Sequence, residues 1–532
     1  MLLSSCTRVG NVTGTGGRHP WTQPGVLRIG SLNDPDTLSP LVGNFQIDTD
    51  LAMFWGGFLF NYDDHNRLLP ELATVEPTLA NGGISRDGRT IVYHLRSGVK
   101  WQDGAPFTAD DVIFTWHAIM NPKNNVPSRV GYDRITRIDR INDFGVTIHL
   151  DRPFSPFVAT FLTQAANPMP VYPKHLLDKY PDLNRVPYNS APIGTGPFRV
   201  AEWHRGQVIR MLANPAYWRG PPKLREVDYR AIPDENTILT SMKTHEIDLW
   251  ANAGASMYPG ARDISDTHVL LTPFVRFSLV GFNVRRPIMS DVRVRRALVY
   301  AMDRKRMIGE ITYGVQLPGD GDQPALLWAH DANLKPYPYD PVQARALLDA
   351  AGWKANGNGI RMRNGIPLQI VVVTTTGDSV GNRTAVILQS AWRAVGVDTV
   401  IKPYASGLMF ASFGAGGILQ VGNYDVNFFS WLGGVDPDDS TIVMCDQIPP
   451  AGQNNFRFCD RDVDRYERLA LSTYDQAQRK RAYDHIQEIL QDRAPFVTLW
   501  FFRLFDVASD DLKNYRPAHA VTPFWNTWEY QI

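Results

Sequence analysis

The stretch from Leu368 to Ile401 does most to restrict what this chain can fold into. Leu368 to Thr374 is an apolar, β-branched run of strand character, residues 382–396 carry a helical pattern, and Val397 to Ile401 is strand-like again. Strand, helix and strand in that order form a crossover unit, which points to a parallel sheet covered by helices. The helix before this unit is punctuated at both ends. Asp340 is an N-cap, Pro341 takes the first helical position, and Gly352 closes the helix, while Ala344, Leu347, Leu348 and Ala351 repeat at helical spacing. Other elements are antiparallel or helical. Asp87-Gly88 is a hairpin turn within Ile84 to Arg96. Thr108 to Asp111 opens a helix with a capping box, whose stripe is Ile113, Trp116 and Met120. Asp291 caps a helix with Val294, Ala297, Leu298 and Ala301 on one face. Arg293, Arg295 and Arg296 lie off that stripe and read as a solvated or salt-bridged face. Val463, Tyr466 and Ala470, and then Ala482, Ile486, Ile489 and Leu490, mark two more helices, and Phe496 to Phe502 reads as a buried strand. The class is α/β with antiparallel additions.

At 532 residues the chain is long enough for about three domains at roughly 100–200 residues each. Lysine plus arginine and aspartate plus glutamate both number 54, so the chain lacks the basic excess of a typical nucleic-acid binder. No apolar run reaches the length of a membrane span. The chain is rich in aromatic residues, most of them expected in cores and a minority expected to line a ligand cleft.

The three cysteines are Cys6, Cys445 and Cys459. The last two sit at a spacing that suits a local disulfide rather than a zinc site, with a pair of buried thiols as the alternative; a disulfide would imply an oxidising compartment. Leu3-Ser4-Ser5-Cys6 is lipobox-like, so Cys6 is a candidate for lipidation, with a longer leader than the residues that precede it here. Residues 1–25 are then a lipobox-like and tether segment; the alternative is a frayed terminus. Asn11-Val12-Thr13 fits a glycosylation acceptor.

Catalytic machinery is sparse. Gly377-Asp378-Ser379-Val380-Gly381 matches G-x-S-x-G between a strand and a helix, and Asp436 with His485 or His519 follows in α/β-hydrolase order. An upstream oxyanion motif is absent, and Gly and Ser suit such a turn for capping reasons alone. The histidines are dispersed, with no pair at metal-ligand spacing, no phosphate-binding loop and no dinucleotide fingerprint, so neither a metal site nor a cofactor is expected. A large chain with many aromatics and no catalytic cluster reads as a binding protein, with an esterase using Ser379 as the alternative.

Six motifs occur in one order: Leu69-Pro70-Glu71-Leu72-Ala73; Leu95-Arg96 through Trp101-x-Asp103-Gly104 to Asp111-Val112; Gly194-Thr195-Gly196-Pro197-Phe198; Asn214-Pro215-x-Tyr217-Trp218; Asp291-Val292-Arg293 to Asp303-Arg304; and Tyr339-Asp340-Pro341 through Gly352-Trp353. Together they resemble the extracytoplasmic solute-binding proteins of bacterial ABC importers, family 5, the dipeptide- and oligopeptide-binding proteins. The resemblance covers nearly the whole chain from Val26. It implies a type II periplasmic-binding-protein-like fold, two lobes about a hinge plus an inserted domain. Domain I would take 26–60, 190–282 and 496–532, domain II 61–189, and domain III 283–495, with hinge crossings near Asn283 and Ala494-Pro495. The partners implied are a peptide or other small solute and a membrane permease. No nucleic acid is implied, the protein would act as a monomer, and it would sit in the periplasm or on the outer face of the cytoplasmic membrane. In peptide-binding members an Asp shortly after a Trp holds the ligand ammonium. Here Trp431 matches, the Asp position falls on Gly434, and Asp436 aligns with the loop-shaping Asp-Pro-Asp. Sugars, acylated peptides or a metal chelate are therefore alternative ligands, unless Asp436 swings in. The candidate site residues are Trp431, Gly433, Gly434 and Asp436, with Asn33 and Asn44 near the first strand. Trp431 is alternatively a core residue, and the two asparagines alternatively turn residues.

Overall fold

The computed structural model describes residues 18–43, 45–164, 168–519 and 522–532. Cys6, the Asn11 acceptor and Asn44 lie outside the described residues. One mixed sheet of eleven strands runs through the molecule. From one edge its order is Asp398–Tyr404, Gln369–Thr375, Val426–Leu432, Thr267–Phe282, Phe496–Ser509, Leu249–Trp250, Val26–Ser31, Glu226–Ala231, Val208–Ala213 and Phe198–His204. The short strand Leu317–Pro318 adds to Phe496–Ser509.

The expected crossover unit is present. Gln369–Thr375 and Asp398–Tyr404 are parallel, joined by the helix Ser379–Arg393. That helix starts earlier than its apolar pattern indicated, because the Asp378 carboxylate accepts the Gly381 amide at 2.9 Å and fixes the first turn. Asp340 caps Pro341–Ala350 through the Val342 and Gln343 amides at 3.0 and 2.9 Å, and Gly352 leaves that helix with a positive φ of 84°. The three arginines after Asp291 divide. Arg293 pairs with Asp291 and Arg296 with Asp492, as a salt-bridged face would. Arg295 is instead buried and donates to the carbonyls of Met289 at 2.6 Å and Ala494 at 2.9 Å, clamping two chain turns.

The inserted segment holds a three-stranded antiparallel sheet, Thr90–His94, Gly145–Leu150 and Ile135–Asn142. The Asp87-Gly88 turn brings Ile84 opposite Ile91, although the main partner of Thr90–His94 is Gly145–Leu150. One apolar core joins this segment to the Val26–Ser31 half of the large sheet, so Tyr93, Phe161 and Val227 belong to the same cluster. The other half of the sheet is covered on both faces. Val280, Leu298, Trp392 and Trp500 pack on one side, and Leu279, Phe429, Tyr483 and Phe501 on the other.

Two long strands, Thr267–Phe282 and Phe496–Ser509, pass from one half to the other. Val269 and Leu271 pack with the Trp250 cluster, whereas Leu279, Val280 and Phe282 pack in the cores of the second half. The packing of these strands passes from one core to the other near residues 273–277 and 501–503. Sequence patterning marks where a strand ends, and here one unbroken strand serves two cores. The segment expected as a tether is also anchored where it is described. The His19 amide donates to Asp511 at 2.8 Å, and Trp21 stacks on His19 and His245 with ring centres 4.7 and 4.0 Å apart.

Candidate functional site

A cavity of about 420 Å³ opens where the two long strands change lobe. Its walls come from several parts of the chain. Gln46, Thr49 and Asp50 belong to the helix Gln46–Trp55, where spacings of three and four place them on one face. Pro127 and Ser128 come from the inserted segment, and Ser430 and Leu432 from the strand Val426–Leu432. The floor is made by Phe274 and Arg276 on one long strand and by Phe502, Arg503 and Leu504 on the other.

The floor has a local cause. Between Pro273, opposite Arg503, and Phe277, opposite Phe501, the pairing slips, leaving Phe274, Val275 and Arg276 outside the regular ladder. A bulge of this kind re-aims side chains, and it turns Phe274 and Arg276 into the cavity. The Arg276 guanidinium lies 4.6 Å from the ring centre of Phe502. It is accessible within the cleft, and no described residue gives it a hydrogen bond or an ion pair. Burial in the cleft lowers its pKa, opposed by the more distant Asp378. Arg503 differs. Its guanidinium donates to the carbonyls of Val315 and, at 2.7 Å, Gly314. Asp50 is buried and its pKa is pushed up to about 7, because desolvation outweighs the hydrogen bonds from Gln46 and Thr522.

The described residues among the sequence-predicted ones do not line this cavity. Trp431, Gly433, Gly434 and Asp436 come together, but around a separate pocket of about 20 Å³. Successive residues of a strand face opposite sides. Ser430 and Leu432 thus meet the cavity, while Trp431 packs with the Phe429 and Tyr483 core on the other face. The Asp436 carboxylate is held by Arg479, from the helix Gln476–Arg493, in a two-point ion pair at 2.6 and 2.8 Å, with the two side chains 13% and 8% exposed. Burial works against the Arg479 charge, but Asp436 outweighs it and the guanidinium pKa is raised. Asn33 lies exposed in a turn, its amide 3.3 Å from the Ser31 hydroxyl, and does not line the cavity. Cavity-lining residues that the sequence reading did not single out include Asp50, Arg276 and Phe502. Arg276 had a signal, as the one charged residue in the run Leu270–Phe282.

The hydrolase geometry is not assembled. Ser379 is exposed at a helix start; His485 faces Glu488 at 3.1 Å, and His519 lies 2.9 Å from the Pro273 carbonyl. Asp63, Asp64 and His65 bring potential metal-ligand atoms within 4.8 Å of one another. Asp63 already accepts the Arg67 side chain at 2.7 Å and the His65 and Arg67 amides at 2.9 Å, so this cluster is a closed turn. Cys445 and Cys459 form a disulfide.

The family profile described as bacterial extracellular solute-binding proteins, family 5, matches residues 74–447. The chain belongs to this family. This family 5 protein is 26% identical over 505 residues to the oligopeptide-binding protein AppA of Bacillus subtilis, covering 93% of this chain and 89% of that one. It is 28% identical over 500 residues to di/tripeptide-binding protein 2 of Pseudomonas aeruginosa, covering 88% and 90%. Its fold matches that of NikZ from Campylobacter jejuni, crystallised with Ni(L-His), at a TM-score of 0.79 and 26% identity, over 96% of this chain and all of that one. The family 5 relatives are binding proteins, and this chain is one too, not a hydrolase.

Proposed function

We propose that this family 5 protein captures a peptide or peptide-like solute outside the cytoplasmic membrane, in the 420 Å³ cavity, and delivers it unaltered to the permease of an ABC importer. The observation that carries this reading is the position of the cavity, at the joint between two lobes and walled by both. A ligand there touches both lobes at once, so its binding energy favours the closed arrangement and its release favours the open one. The rim contacts support closure. Ser155 of the inserted segment bonds to the Leu471 and Ala470 carbonyls at 2.8 and 2.7 Å, and the Tyr474 hydroxyl donates to Gly88 and Phe154 at 3.1 Å, all across the gap between lobes. The relatives are named for oligopeptides and for di- and tripeptides, and one was crystallised with Ni(L-His). The disulfide fits an oxidising compartment outside the cytoplasm. The protein acts as a monomer, and a lipid on Cys6 would hold it at the membrane.

Native mass spectrometry of the protein as purified, combined with thermal-shift screening of peptides, sugars and metal chelates, tests the reading. A bound small molecule, or a panel member that raises the melting temperature in proportion to the logarithm of its concentration, is the expected result. A chemically altered product, or no response to any solute, overturns it.

A further inference from the structure

Among the described residues the cavity is lined by three ionisable side chains: Arg276, Arg503 and Asp50. Two are cations. The third is a carboxylate that burial moves towards its neutral form near pH 7. The lining is therefore electropositive, and the two cations are used differently. Arg503 spends its donors on the Gly314 and Val315 carbonyls. Arg276 has five N–H donors and no bond from any described residue to satisfy them, although it is aimed into the cavity by a two-residue slip in the ladder and backed by the Phe502 ring. Asp378, the carboxylate that acts on it electrostatically, is already occupied as a helix cap. A guanidinium beside a ring and without a hydrogen-bonded partner leaves its N–H edge open, and that edge matches a carboxylate as a two-point fork.

Resting on the solute-binding reading above, we propose that Arg276 is the specificity residue of the cavity and that the ligand is a compact acid, of di- or tripeptide size, whose carboxylate is bound by the Arg276 guanidinium. The volume sets the size. About 420 Å³ lies near the lower end of the roughly 300–1,000 Å³ range of small-molecule pockets. Asp50 and Thr49 on the helix wall supply acceptors for the donor groups at the other end of such a solute. The Asp436 loop takes no part in holding an amine, because its carboxylate is already filled by Arg479.

The test is calorimetric titration of the full chain, dialysed free of bound solute, with Ala-Phe, tri-alanine and L-histidine, each against its C-terminal amide. At least one free acid binds and exceeds its amide by roughly 10- to 100-fold, the range for a charge-assisted hydrogen bond. Arg276→Gln removes that preference, Arg276→Lys keeps part of it, and both variants melt within a few degrees of the parent. Equal binding of acid and amide, unchanged affinity in Arg276→Gln, or no binding of any acid overturns the proposal. The two readings fail separately. A neutral sugar or an amide that binds while the acids do not removes the carboxylate anchor and leaves the solute-binding function standing, whereas silence towards every solute removes both.

Discussion

Arg276 and Arg479 are the same residue type about 200 positions apart, and the fold treats them in opposite ways. Arg479 is packed into the second lobe with both nitrogens of its fork on Asp436 and its face over Trp328 at 5.1 Å. Arg276 has the ring contact with Phe502 and lacks the carboxylate. The first has its carboxylate partner and the second has none among the described residues. In a lobe joint that opens and closes, an internal partner for Arg276 would compete with any solute. On the proposal above, the difference separates a structural cation from one offered to a ligand. The same pair occupies Asp436, whose place after Trp431 makes it an amine-anchor candidate.

The contrast can be broken most directly at Arg479. Replacement by Leu leaves the Asp436 carboxylate buried without its partner, and denaturant unfolding should show a loss of about 3–5 kcal/mol, with affinity for a cavity ligand unchanged in the folded fraction. Removing the disulfide with Cys445→Ala and Cys459→Ala acts on the same lobe. The cysteines are 14 residues apart, and the chain-entropy argument gives a loss of about 3 kcal/mol, read by the same denaturation and reproduced by reductant on the parent protein. A third expectation concerns pH. Burial pushes the Glu467 pKa from its usual 4.5 up to about 8, with Asp438 and Asp322 adding in the same direction, and Asp439 beside it is also raised by burial. The folded chain thus holds more protons than the unfolded chain between those values. This contribution is whole below about pH 4.5 and is lost as pH rises through about 8. Melting temperature should fall across that interval, on the order of 2–4 °C for each kcal/mol lost, and Glu467→Gln should flatten the profile. The smallest stability effect belongs to Arg276. Its replacement by Ala should change unfolding by about 0.5 kcal/mol or less, the usual size for an accessible side chain outside the core. A loss of several kcal/mol in that variant would show Arg276 to be structural after all, and would erase the distinction from Arg479.

Much of the fold was legible in the chain. The caps at Asp291, Asp340 and Thr108, the crossover unit 368–401 and the helices before Ala494 all follow from local spacing, and local spacing is what a sequence displays. The site was less legible. Trp431 was singled out for its place in a motif, but strand alternation turns it away from the cavity and presents Ser430 and Leu432 instead. That alternation could have been counted beforehand, although the side facing the ligand could not, since it depends on which face the helices cover. Asp50 lies within an ordinary helix, and only the arrival of residues some 450 positions later makes it part of a cavity. The pairing slip around Val275 leaves no Gly or Pro at the slipped positions themselves.

That slip ties recognition to motion. A continuous ladder resists bending, and these two strands are least continuous at the three residues that also present Arg276. On the solute-binding reading, the pivot and the place of contact with the cargo coincide. On that reading a solute seated there would act on the pivot itself, and a small change in how tightly it is held would be translated into the angle between the lobes without any relay through distant parts.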